Sequence, residues 1–154
     1  MKKLVSMLLA AAMALSLVAC GSSSSGSGAG SSSPQSGKED PIKVGFSTQN
    51  LSDSFMKTIH DTIQEQVEAN GDEFVGVGAE GDGAKQISQI EDLINQQIDV
   101  LIVNPVSSDG ILPALEQCKA AGIPVISFDS APSDRELIVS HVAADNKDCG
   151  RIVG

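Results

Sequence analysis

The sequence predicts an α/β protein built on a doubly wound parallel sheet. Short apolar segments alternate along the chain with stretches whose apolar residues recur at helical spacing. Strand and helix alternating in this way make βαβ units, and such units close into a parallel sheet covered on both faces. Residues 99–103 carry the continuous apolar run Val100-Leu101-Ile102-Val103, the pattern of a strand buried from both sides.

The first 37 of the 154 residues lie outside that pattern. Residues 1–19 read as an export leader, with Lys2 and Lys3 ahead of an apolar run broken only by Ser6 and Ser16. That run is short of the roughly 20 apolar residues that a membrane span needs. It ends in Leu17-Val18-Ala19-Cys20 followed by Gly21, which resembles the lipobox of bacterial lipoproteins. The resemblance implies that Cys20 takes a lipid on its sulfur and becomes the mature N-terminus. Residues 20–37 then form a tether of Gly, Ser and Ala interrupted by Pro34 and Gln35, a composition that cannot bury a core. The folded domain is expected over residues 38–154, a single-domain length.

Charge and cysteine content narrow the partners. The net charge of −10 becomes −12 once Lys2 and Lys3 leave with the leader. Such acidity argues against nucleic acid and anionic lipid as binding partners and leaves a neutral ligand open. With Cys20 acylated, Cys118 and Cys149 provide no disulfide framework and act as small apolar residues.

Within the domain, residues 42–48 read as the first strand. Residues 53–70 follow as a helix with Phe55, Ile59, Ile63 and Val67 on one stripe, closed by Asn70-Gly71. A second strand is expected over 73–79, and a helix over 83–97 with Ile87, Ile90, Leu93 and Ile94 on its apolar face. After the third strand at 99–103, residues 107–121 read as a helix through Ile111, Leu115 and Cys118, stopped by Gly122. Strands at 123–128 and 137–142 complete the pattern, and a further helix begins at Asp145.

Ligands of open parallel sheets sit beyond the carboxyl ends of the strands. The loops there are residues 48–54, 79–83, 104–108 and 128–136, which makes Gln49, Asn50, Asp53, Asn104, Asp129 and Ser130 the candidates. An ionised carboxylate accepts two hydrogen bonds at once, which suits adjacent hydroxyls of a sugar. Asp53 and Asp129 have that chemistry, although Asp53 also suits a helix cap and Asp129 a turn with Ser130. Phe55 offers an aromatic face to the C–H side of a sugar ring, in competition with core packing, and Met56 lies beside it.

Other chemistries find less support. Gly76-Val77-Gly78-Ala79-Glu80-Gly81 matches a dinucleotide fingerprint in letters, but it follows the second strand and its glycines fall in that strand's alternation. His60 reads as a solvated helix residue and His141 as a strand residue, neither with metal-ligand spacing nearby. No G-x-S-x-G elbow presents a serine. No enzyme activity, cofactor or metal is expected.

From Lys43 to Gly154 the sequence resembles the sugar-binding members of the type I periplasmic binding proteins. The resemblance rests on Ser52-Asp53-Ser54-Phe55-Met56, on Gln86-Ile87-Ser88-Gln89-Ile90-Glu91-Asp92-Leu93-Ile94, and on Val100-Leu101-Ile102-Val103-Asn104-Pro105. Ala121-Gly122-Ile123-Pro124-Val125-Ile126, Asp129 and Ser140-His141-Val142-Ala143-Ala144-Asp145-Asn146 follow in order. It implies that Asp53 and Asp129 bond sugar hydroxyls, that Phe55 stacks on the ring, and that Met56 and Ser130 adjoin the ligand. Ser130 stands where the ribose binders carry arginine, and Met56 replaces one of their aromatics, so the sugar itself is left open. The family's fold adds a second lobe, and the chain is expected to be the first lobe alone, binding sugar weakly or not at all. The implied role is non-catalytic delivery of a small neutral sugar to an ABC transporter permease, by a monomer held by lipid to the outer face of the cell membrane. A receptor lobe feeding a membrane kinase or chemoreceptor is the alternative.

Overall fold

A computed structural model describes residues 40–153, so the leader, the tether and Cys20 lie outside the described residues. Five strands form one all-parallel sheet: β1 (Lys43–Thr48), β2 (Glu73–Gly78), β3 (Val100–Val103), β4 (Val125–Phe128) and β5 (Ser140–Val142). Their order across the sheet is β2-β1-β3-β4-β5. Helices α1 (Ser54–Asn70), α2 (Gly83–Asn95) and α3 (Leu112–Ala120) provide the first three crossovers. A 3₁₀ turn at Arg135–Leu137 leads into β5, and α4 (Asn146–Val153) follows it.

That order decides which face each helix covers. Right-handed crossovers place the helix of a leftward step and that of a rightward step on opposite faces. Only the step from β1 to β2 runs towards the β2 edge, so α1 stands alone on its face while α2 and α3 share the other. Beneath α2 and α3, Leu101, Val103 and Val125 meet Ile90, Leu93, Ile111, Ala114, Leu115 and Cys118 in the main core. On the α1 face, Ile102 and Ile126 stay half-buried and Val142 is 62% exposed. The expectation that the third strand is buried from both sides is therefore corrected: a single helix cannot span five strands.

The α1 face has its own chemistry. Phe46, fully buried, stacks on Phe128 at 5.4 Å and meets the edge of His60 at 5.4 Å. His60 also meets Phe74 edge-on at 5.1 Å, and its side chain is only 16% exposed. It is a packed aromatic rather than the solvated residue expected. Its ring lies over Gly76 of β2, where any Cβ would collide with Nε2, and Leu51 covers Gly78 in the same way. The glycine spacing that imitates a dinucleotide loop is thus room for two side chains.

Several boundaries move. The helix expected from residue 107 begins at Leu112, because Pro113 is compatible only with a first helical turn. The strand expected at 137–142 is reduced to its last three residues by the 3₁₀ turn. No helix among the described residues is long and apolar enough to cross a membrane.

Gly76→Ala should destabilise the chain by about 1–3 kcal/mol, the usual cost of overpacking. Urea unfolding should show a lower midpoint, partly restored by adding His60→Ala; an unchanged midpoint for the single variant would contradict the close approach.

Candidate ligand-binding edge

The carboxyl ends of all five strands share one edge, and the change of direction in the strand order falls between β1 and β3, where a crevice opens in such sheets. Four helices start from this edge, and the first turns of three of them, α1, α2 and α4, are served by aspartates, while α3 has no side-chain cap. Asp53 Oδ1 accepts from the amides of Phe55 and Met56 at 2.9 and 3.0 Å. Asp82 Oδ1 accepts from Ala84 and Lys85, and Asp145 Oδ1 from Lys147 and Asp148. A carboxylate after a strand is therefore a helix cap by default here, and Asp53 is one. The cap uses Oδ1, so Oδ2 is not committed to it.

Asp129 is different. It caps no helix, and it holds the left-handed conformation with φ +58°, uncommon for a residue with a Cβ though more accessible to Asp than to most. Its amide donates to Val142 O at 2.8 Å, and its Oδ2 accepts from Asn104 Nδ2 at 3.1 Å. The chain bends here, the Asp129 amide continuing the pairing of β4 with β5, and the Asp129 side chain is exposed at the rim.

Phe55 and Asp129 line one cavity of about 440 Å³, together with Ile59, Ile63, Ile102, Ile126, Phe128 and the stretch Val142 to Ala144. Phe55 is 61% exposed, so its ring is available and does not pack into the core, although the stripe it begins continues through Ile59 and Ile63 along the same cavity. Asp53 sits two residues before Phe55 at the helix entry. Met56 and Ser130 are half-buried and do not line the cavity. Of the five predicted ligand residues, two are brought together and one adjoins them. A smaller cavity of about 320 Å³, lined by Ile123, Pro124, Val125, Leu137 and Val139 with Lys119 and Glu136, lies away from all five.

The other rim candidates are structural. Gln49 Nε2 donates to Pro105 O at 2.8 Å, tying two loops, and Asn50 Oδ1 accepts from Ser52 N at 2.8 Å within its own loop. Asn104, expected at the rim, is fully buried. Gln86, not singled out as a site residue, is 1% exposed and bonds Ser47 Oγ, Asn104 O and the amide of Val106. Its signal was present: a glutamine four residues before Ile90 falls on the apolar side of α2.

Nothing at this edge is arranged for covalent chemistry. Ser127 Oγ and His141 Nδ1 are 2.8 Å apart, but Ser127 is fully buried in β4. Among the described residues no three His, Cys, Asp or Glu side chains gather as metal ligands. Cys118 is buried among apolar side chains, and this desolvation raises its thiol from 9.0 to about 11. Asp61 is held below the usual carboxylate range, first by its hydrogen bond to Lys57 and then by that to His60.

The sequence matches the family described as periplasmic binding protein domain over residues 44–154. It is 32% identical over 146 residues to the ribose import binding protein RbsB of Bacillus subtilis, covering 95% of this chain and 46% of that protein. Among solved structures, an ABC transporter solute binding protein from Mycobacterium smegmatis with bound glycerol superposes with a TM-score of 0.70 at 35% identity, over 73% of this chain and 38% of that one. A periplasmic ribose ABC transporter structure from Conexibacter woesei superposes with a TM-score of 0.69 at 28% identity, again over 73% and 38%. The chain thus spans less than half the length of each of these relatives.

The raised Cys118 thiol carries a pH signature. An unfolded chain ionises this thiol above 9.0, while the folded one keeps its proton to about 11. This contribution to stability is complete below pH 9.0 and is lost as the pH rises towards 11. Alkylation mapped by mass spectrometry should leave Cys118 unmodified at neutral pH until the chain is unfolded. Rapid native labelling would contradict the burial.

Proposed function

The chain belongs to the periplasmic binding protein domain family, and from that premise we propose that it forms the first lobe of an extracytoplasmic sugar receptor serving an ABC importer. The carrying observation is that Phe55 and Asp129 line one cavity, which runs along the α1 face and reaches the carboxyl edge at these two residues. An aromatic face and a carboxylate at the rim match the two sides of a sugar: C–H groups against the ring, adjacent hydroxyls on the oxygens. The uncommitted Oδ2 of Asp53 adds an acceptor at the helix entry. Met56 and Ser130 flank these groups in sequence and serve as the outer boundary of the site. The names of the relatives support a sugar or polyol as the ligand class.

Binding here is non-catalytic. The ligand is held by hydrogen bonds and ring contact, and delivery depends on which conformation the ligand favours. Phe55 and Asp129 are both solvent-exposed, so this lobe covers a ligand from one side only. Acylation of Cys20 would hold the domain at the outer face of the cell membrane as a monomer, and the Gly/Ser tether would let it reach a permease.

Titration of the 154-residue chain with D-ribose, D-xylose and D-glucose, followed by amide NMR shifts at Phe55 and Asp129, should give dissociation constants in the millimolar range or weaker. Asp129→Ala should weaken the best sugar about tenfold or more, since hydrogen bonds to a charged group are the strong ones. Micromolar affinity of this lobe alone, or indifference to Asp129→Ala, would overturn the reading. For the anchor, expression in a bacterium with labelled palmitate should label the wild-type chain and not Cys20→Ala; equal labelling of the two would remove Cys20 as the acceptor.

A further inference from the structure

Beneath the rim, four polar side chains form a line across the sheet. Gln86 Nε2 donates to Ser47 Oγ at 3.2 Å and to Asn104 O at 2.9 Å, and Gln86 Oε1 accepts from Val106 N at 2.8 Å. The Asn104 amide donates to Ser47 O at 2.8 Å, so its backbone is held from two elements. Its side-chain Nδ2 then donates to Phe128 O at 3.2 Å and to Asp129 Oδ2 at 3.1 Å. Gln86, Ser47 and Asn104 are each at most 1% exposed.

This arrangement has a cost that packing alone does not explain. Asn104 Oδ1 is buried with no hydrogen-bond partner among the described residues. An unpaired buried acceptor destabilises by about 1–3 kcal/mol, and leucine would fill a similar volume without it. What leucine could not supply are the two hydrogens on Nδ2, and both go to the turn at Phe128 and Asp129. That turn is also where the backbone takes the left-handed conformation. A buried, doubly anchored amide therefore meets a strained residue at its carbonyl side and at its carboxylate.

We propose that Asn104 is a positioning residue: its buried carboxamide clamps the left-handed turn and holds one Asp129 oxygen, leaving the other directed to the ligand. Gln86 fixes Asn104 in turn by its carbonyl. The inference rests on Asp129 as a sugar contact for its functional meaning, while the clamp itself is a property of the ligand-free lobe. Holding one oxygen removes rotamer freedom that a ligand would otherwise have to freeze, so the clamp acts on affinity through pre-organisation.

The test compares the wild-type 154-residue chain with Asn104→Leu, Asp129→Ala and the double variant. In wild type, Asp129 should show the strong intraresidue amide-to-Hα NOE of a positive φ. Asn104→Leu should weaken that signal while the amide shifts of Val44 and Phe46 in β1 stay in place. Sugar affinity, read with D-ribose, D-xylose and D-glucose, should fall about tenfold in Asn104→Leu. The double variant should bind no more weakly than Asp129→Ala alone, since a residue that acts only through Asp129 has nothing left to position. An unchanged signal at Asp129 in Asn104→Leu, or losses that multiply in the double variant, overturns the proposal. Should Asn104→Leu fail to fold, Asn104→Ala replaces it: the donors are gone, no larger side chain has to be fitted, and the same readouts decide. If Asp129→Ala leaves sugar binding unaffected, the proposed sugar contact fails, and the NOE at Asp129 still decides the clamp.

Discussion

Parallel strands cannot be joined by a tight turn, so each crossover must leave one edge of the sheet and re-enter at the other. This constraint makes all strand ends of one kind converge, and it leaves the loops that follow them as neighbours however far apart they lie in sequence. Phe55 and Asp129 share a cavity because β1 and β4 run the same way. The handedness of the crossovers adds the second consequence. With β2 alone on one side of β1, one helix covers one face and two cover the other. The cavity lined by Phe55 and Asp129 continues over Ile102 and Ile126, and among the described residues α1 is the only helix on that face.

The two faces are built from different materials for that reason. The face under α2 and α3 is aliphatic and closed, with Leu93, Leu101, Val103 and Leu115 fully buried. The α1 face is aromatic, with Phe46, Phe74, Phe128 and His60 in contact. Large rings let a single helix fill its half of the sheet, and Gly76 and Gly78 make room for what lies over them. Phe128 belongs to both systems: it stacks on Phe46 and also lines the cavity, immediately before Asp129. The carboxyl edge at Asp129 thus rests directly on the aromatic packing.

Polar groups at this edge fall into two kinds, and only contacts separate them. Asp53, Asp82 and Asp145 answer the unpaired amides of helix starts. Asp129 answers none and is held by a side chain from the loop after the neighbouring strand β3. The buried line through Gln86, Ser47 and Asn104 ties α2, β1 and the loop after β3 to that one carboxylate. Buried polar networks are costly unless well paired, which gives this one a strong preference for a single arrangement.

Periodicity in the sequence sufficed for the strands, the helices and the parallel sheet, because those follow from local apolar patterning and from chain connectivity. Tertiary structure alone decided the rest. Whether His60 is solvated or packed depends on Gly76 in a different element, and whether Asn104 is a rim contact or a buried clamp depends on Gln86 and Asp129. The exposed position of Phe55, at the head of a stripe that reads as core, goes with its place in the first turn of α1, which is the only helix on that face among the described residues. A pattern along one segment records which side of that segment is apolar; what lies against that side is set by partners distant in the chain.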